Sequence, residues 1–448
     1  MYTLEEVKIA YYKLKNYVYY DNTELLLREK LIEFETDTKK DDSNLFSWEI
    51  SEPYSDSNDF KNIFATKKNT IEQNLEIKFA KLFKEINSNN LESEYFKYLI
   101  SQIKVDFFPK KIKSTDNNLD KNFISNVKCK ENYEIEKITP FINAPLEFHI
   151  ISIMWIIRSG YKFDAELLEE CKGNRLLLNK ERTNLIQNSS LFKPYYSQYQ
   201  SWRDDSVSVA QELLKNKKNA LFINLDIKNY FNSANLDYAK YFPEDDSVNN
   251  ILRALHKIYS FKLISDYEII DKKIKNLNES FLLPIGLLSS YVIANHYLND
   301  LDKIIIKKIK PAYYGRYVDD ILIVISDPKE SIEQIEKYND YKINHIEFVK
   351  TENSEEQNLN KIKLSKIERY IIENLDPIFQ IVVNGKERKI KIDKYENLYC
   401  QQGKTLMYYF DFNESDIVID KLKQELNYRS SEFKDLPDDN ENLGDIDK

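Results

Sequence analysis

Two runs of apolar residues set the frame of this chain. Leu221 to Leu225 is apolar except for Asn224, and Ile321-Leu322-Ile323-Val324-Ile325 has no interruption. Short apolar runs like these, the second rich in β-branched residues, predict buried core strands. Helical periodicity dominates before them. Thr3 and Glu6 form a capping-box pattern ahead of Val7, Ala10, Tyr11 and Leu14. Further helices are predicted over 24–34, 70–86, 91–103 and 146–159, the last almost wholly apolar and carrying His149 and Trp155. A lone His on such a helix is expected to be a packed core residue. Polar stretches at 39–59 and 110–122 predict loops or linkers.

The pattern changes again after the second apolar run. Residues 328–338 predict a charged amphipathic helix, and 346–350 a short strand. Phe379 to Val383, then Asn384-Gly385, then Lys386 to Ile392 predicts a hairpin, because Asn-Gly suits a two-residue type I′ turn. Its second strand carries Lys386, Arg388, Lys389 and Lys391, either a solvated face or a strip for a nucleic-acid backbone. Residues 416–426 predict a final helix, and an acidic tail begins at Pro437.

Composition narrows the class. With 42% hydrophobic and 13% aromatic residues over 448 positions, the chain can bury two or three substantial subdomains. The formal charge of −9 argues against a protein that coats nucleic acid non-specifically, while leaving room for a segregated basic channel. Cys129, Cys171 and Cys400 lie far apart with no CxxC pair, so neither a zinc ribbon nor a disulfide framework is expected. A reducing, cytoplasmic setting is the simplest expectation. The most apolar window, 150–157, is too short to span a bilayer, and no basic-then-apolar leader is evident.

The candidate chemistry is carboxylate. Asp226 ends the first apolar run, and Asp319-Asp320 precedes the second. Asp226 alone reads as a helix cap or turn residue, and an isolated Asp-Asp as a turn. Together the three imply a compensating cation, since buried carboxylates are costly. Three carboxylates on adjacent strands suit two divalent cations roughly 3.5–4 Å apart, serving an in-line phosphoryl displacement. Asp and Glu oxygens are the hard ligands Mg2+ prefers.

Three motifs in order then resemble the reverse transcriptases. Leu225-Asp226-Ile227-Lys228-Asn229-Tyr230-Phe231-Asn232-Ser233 is similar to motif A. Leu283-Pro284-Ile285-Gly286 through Ser290 and Asn295 is similar to motif B, and Arg316-Tyr317-Val318-Asp319-Asp320 to the YxDD of motif C. Within the family the chain most resembles the bacterial abortive-infection and defence-associated enzymes. Leu406 to Asp411 and Ser430-Ser431-Glu432-Phe433 add to that likeness.

The resemblance implies an α+β fold: a right-hand polymerase with an antiparallel palm sheet plus helices, and fingers. It implies a helical extension over 1–139, fingers and palm over 140–365, and a hairpin-plus-helix, thumb-like region over 366–448. Asp226, Asp319 and Asp320 are then the metal ligands, with the carbonyl of Ile227, for two Mg2+ ions or Mn2+ in their place. Phe231 is a steric gate favouring deoxynucleotides, and Gly286 and Ser290 line the nascent base pair. Arg203 is a triphosphate clamp, with Arg175 its competitor. Lys350 stands where motif D places a proton donor for pyrophosphate. Ile285 replaces the Gln many relatives carry before the motif B glycine, which opens template-independent or protein-primed synthesis beside RNA-directed synthesis. Expected partners are dNTPs, a nucleic-acid template such as a non-coding RNA, a DNA product that can be covalently attached, and a second copy of the chain. No membrane is expected.

Overall fold

The computed structural model describes residues 1–20, 25–36, 57–113, 134–187, 189–266, 280–328, 346–348, 364–384, 387–414, 419, 422, 423 and 426. The chain divides into two compact units. The first comprises 1–160, 186–191 and 235–291, and the second 161–185, 192–234 and 292–448.

The first unit is built on helices. Thr3 Oγ1 accepts from the Glu6 amide at 3.2 Å while Glu6 Oε2 accepts from the Thr3 amide at 2.7 Å, completing the expected capping box. The Leu4–Tyr20 helix that follows buries Val7, Ala10, Tyr11 and Leu14. It packs on the Leu146–Trp155 and Ser57–Ser88 helices. The first of these is apolar on most of its surface and buries every residue but Glu147. It continues as one π-type turn, Ile156–Gly160, and Trp155 Nε1 donates to Tyr241 O at 3.1 Å. His149 is buried in it, as a core residue.

Two sequence expectations in this unit are revised. The 70–86 helix begins at Ser57, so residues 57–59 are helical rather than looped. Residues 110–113 are not a linker; they end the Lys104–Lys113 strand, paired antiparallel with Glu134–Asn143 from Lys104↔Asn143 to Lys113↔Glu134. A Lys-rich run hides the alternation a strand normally shows, while cross-strand pairing satisfies its backbone.

The second unit holds the two apolar runs as central, adjacent strands. Its first sheet runs Leu406–Phe410, Ala220–Asp226, Asp320–Ser326, Tyr313–Tyr317, with every pairing antiparallel. All seven residues of Ala220–Asp226 are buried, which is why the run is apolar without alternation. The Tyr195–Lys215 helix packs on three of these strands. A second sheet orders Tyr399–Cys400, Glu387–Ile392, Phe379–Asn384 and Ile346–Phe348, the last pair parallel. The predicted hairpin is present in the register Asn384↔Glu387 to Phe379↔Ile392, but Asn384 is a paired strand residue and not the first residue of the expected Asn384-Gly385 turn. Its Gly385-Lys386 turn, the predicted 328–338 helix beyond Pro328 and most of 416–426 lie outside the described residues. The content is thus mixed helix and mainly antiparallel sheet. No described helix is long and apolar enough to cross a membrane.

Candidate active site

Strand register brings the acidic residues together. Asp226 lies directly across from Asp320, and Tyr317 pairs with Asp320 on the other side. Asp319 sits in the turn between, its carbonyl accepting from the Ile227 amide at 3.0 Å. Asp226 is 5% exposed. It shares a cleft with Asp320, Asn224, Tyr199, Trp202, Lys404 and Leu426. Asn224 stands two residues before Asp226, on the same strand face, and its buried Oδ1 has no protein partner.

The turn is strained and tightly held. Val318 has φ +56°, a region β-branched residues rarely enter. Gly173 backs it: a Cβ there would lie 2.7 Å from Val318 Cγ2 and 2.8 Å from its amide nitrogen. Behind the hairpin, Arg316 is fully buried. It donates to Asp302 from Nε and Nη2 at 2.7 Å each, to Asn295 O at 2.9 Å and Oδ1 at 3.3 Å, and to Val318 O at 2.8 Å. Asp302 belongs to the Asn299–Ile309 helix. The guanidinium thus ties the turn carbonyl to two helices. Tyr199 and Trp202 pack against Tyr317 with ring centroids 5.5 and 6.1 Å away, and Trp202 Nε1 donates to Gly315 O.

A cation already stands at the acids. Lys404 Nζ donates to Asp226 Oδ2 at 2.7 Å. Burial works against its charge, but the hydrogen bond and the nearby Asp226, Asp320 and Asp319 outweigh it and raise its pKa above the ordinary lysine value. Lys404 ends a short Gln402–Lys404 turn that is pinned to the Ala220–Asp226 strand by Gln401 N donating to Asp226 O at 2.7 Å. Lys228 N donates to Tyr399 O at 2.8 Å, so an antiparallel bridge flanks Ile227 without using its carbonyl. Burial and the Asp226 charge push the Cys400 thiol up, leaving it a core residue.

The other candidates fall in different places. Phe231 is half-buried in the Tyr230–Ser233 turn of helix, edge-on to Tyr230, whose hydroxyl donates to Ala294 O at 2.6 Å. Arg203 is buried and grips Asp204 at 2.7 and 3.0 Å. Arg175 is likewise buried, on Asp164 at 3.0 Å. Gly286 and Ser290 belong to the first unit, where Gly286 takes φ +96° and the preceding Ile285 carbonyl accepts from Ile142 N at 2.9 Å. Ser290 is fully buried. Lys350 lies outside the described residues.

Hard carboxylate and amide oxygens around a seated ammonium fit a divalent cation. Among the described residues, however, no three His, Cys, Asp or Glu side chains already form a cluster able to hold one. Lys404, Asn224 and the Arg316–Asp302 pair escape sequence reading. Only Arg316 gave a signal, since an Arg entering a core strand demands a buried acid.

Residues 170–394 match the family described as reverse transcriptase (RNA-dependent DNA polymerase). No curated protein matches the chain.

Proposed function

The chain belongs to the reverse transcriptase family, and on that premise we propose that it is a right-hand polymerase that makes DNA by two-metal phosphoryl transfer in antiphage defence. Family membership makes it a nucleotidyltransferase, an RNA-directed DNA polymerase using a nucleic-acid template and dNTPs. Enzymes of this family use divalent metals, typically Mg2+.

The observation that carries the reading is Asp226 directly across from Asp320, beside the turn that holds Asp319. These three, with the Ile227 carbonyl, are the metal ligands. Cations held there would lower the pKa of the attacking hydroxyl and offset charge on the transferring phosphate. Phe231, five residues after Asp226 and half-exposed, is the gate against a 2′-hydroxyl. Gly286 and Ser290 are assigned to the nascent base pair and Lys350 to protonation of the leaving pyrophosphate, by motif alone. Arg203 serves as triphosphate clamp only after leaving Asp204. Residues 1–139, 140–365 and 366–448 are taken as helical extension, fingers and palm, and thumb-like region. The defence role and self-association are read from likeness to the abortive-infection enzymes, and the cytoplasmic setting from the three scattered cysteines. Ile285 extends this reading to template-independent or protein-primed synthesis beside RNA-directed copying.

Purified protein given Mg2+ and dNTPs should extend or initiate DNA. Asp319→Asn with Asp320→Asn should abolish this; synthesis at the wild-type rate in that variant would refute the site. Incorporation of ribonucleotides alone would refute the DNA product. Mass spectrometry of the protein as purified reads any covalently attached DNA and its residue.

A further inference from the structure

We propose that Lys404 is a displaceable counter-ion, a tethered cation that holds Asp226 in the metal-free enzyme and must yield it when a divalent cation binds. The inference rests on Asp226 being a metal ligand. Three observations carry it. The ammonium sits on Asp226 Oδ2 at 2.7 Å, on the oxygen a metal would need. The turn carrying it is fixed independently, through Gln401 N to Asp226 O, through Thr405 N to Gln401 O at 3.1 Å and through Gln402 Nε2 to Glu368 Oε1 at 3.1 Å. The side chain can therefore leave while its backbone stays. Finally, the Lys404 side chain is 30% exposed against 8% for Asp226, so a route to solvent is open. Lysine is suited to this, being a compact charge on a flexible stem. An arginine fork would lock the carboxylate instead.

A purely structural staple makes the opposite prediction, because it would keep its contact with metal present. In full-length wild-type protein, amine-reactive labelling read by mass spectrometry should modify Lys404 several-fold faster with Mn2+ than with EDTA. Unchanged or slower labelling overturns the proposal. Lys404→Met should bind Mn2+, measured by electron paramagnetic resonance of the free ion, about tenfold tighter than wild type, the worth of one charge-assisted hydrogen bond. Equal or weaker binding in a folded variant overturns it too. Asp226→Asn separates the two levels. Mn2+ that binds wild type but not Asp226→Asn, with Lys404 unresponsive, removes this inference alone. Mn2+ binding that ignores Asp226→Asn removes the polymerase site assignment and the inference with it.

Discussion

Asp302→Asn is the sharpest probe of the hairpin support. All five guanidinium N–H groups of Arg316 are engaged: one at Nε, two at Nη1 and two at Nη2. Asp302 receives two of them and also the Tyr314 hydroxyl at 2.5 Å. Both side chains of the pair are fully buried. An amide keeps the shape but carries one oxygen. Whichever way it turns, its NH2 faces a donor, either Nη2 or the Nε–Tyr314 pair. A buried charge left uncompensated costs about 3–5 kcal/mol, a large part of the 5–15 kcal/mol that holds a typical domain. Urea unfolding should show a lower midpoint at constant m-value. Replacing both partners, Asp302→Leu with Arg316→Met, should cost far less than the two single changes added together. Because Arg316 also holds the Val318 carbonyl, DNA synthesis by Asp302→Asn should fall on the order of 10²-fold under conditions where the protein stays folded. A stability loss below about 1 kcal/mol, or additive single changes, would show that the pair does not hold the hairpin.

Gly173→Ala places a methyl within 2.8 Å of the Val318 backbone. It should cost about 1–3 kcal/mol and slow synthesis, and wild-type turnover would contradict the backing role. Phe231→Ala should weaken discrimination against ribonucleotides on the order of 10²-fold, read from competing dNTP and NTP incorporation; unchanged selectivity would remove the gate. Burial depresses the His256 and His149 pKa values to about 3. Their unfolded value is about 6.5, so the unfolded chain takes up protons first as pH falls. Stability should therefore be full above about pH 6.5 and decline by about 1.4 kcal/mol per pH unit for each histidine below it. His256→Phe should lower that acid slope in unfolding measured between about pH 7 and 5, and an unchanged slope would count against it.

The strands and most helices were legible because burial writes itself into residue type. Ala220–Asp226 is apolar but for Asn224 and Asp226, since both faces are covered. The three aspartates were legible as chemistry, because acid beside a core strand needs a partner. The motifs put them on adjacent strands, but the Asp226↔Asp320 register, between segments far apart in the chain, was not legible. Lys404 gave no local sign: Gln-Gln-Gly-Lys-Thr reads as an ordinary polar turn until its backbone is seen pinned to the Asp226 strand. The resemblance made Arg203 a triphosphate clamp, but its pairing with its own neighbour Asp204 is a rotamer choice that no pattern encodes. The hairpin arm over 110–113 failed for the converse reason, a strand held by its partner rather than by its own alternation.

The Leu406–Phe410 strand pairs with Ala220–Asp226, and this bears on how the enzyme comes into being. During synthesis the strand bearing Asp226 leaves the ribosome early and waits for the Asp320 strand, then for Leu406–Phe410, before its sheet is complete. Pairing across so long a stretch is slow to close. Lys404 arrives with that same late segment, two residues ahead of the strand. A nascent or truncated chain ending before residue 404 therefore carries the three aspartates without either the last strand or the ammonium on Asp226. The order of the chain thus makes the finished sheet a property of molecules translated past Phe410.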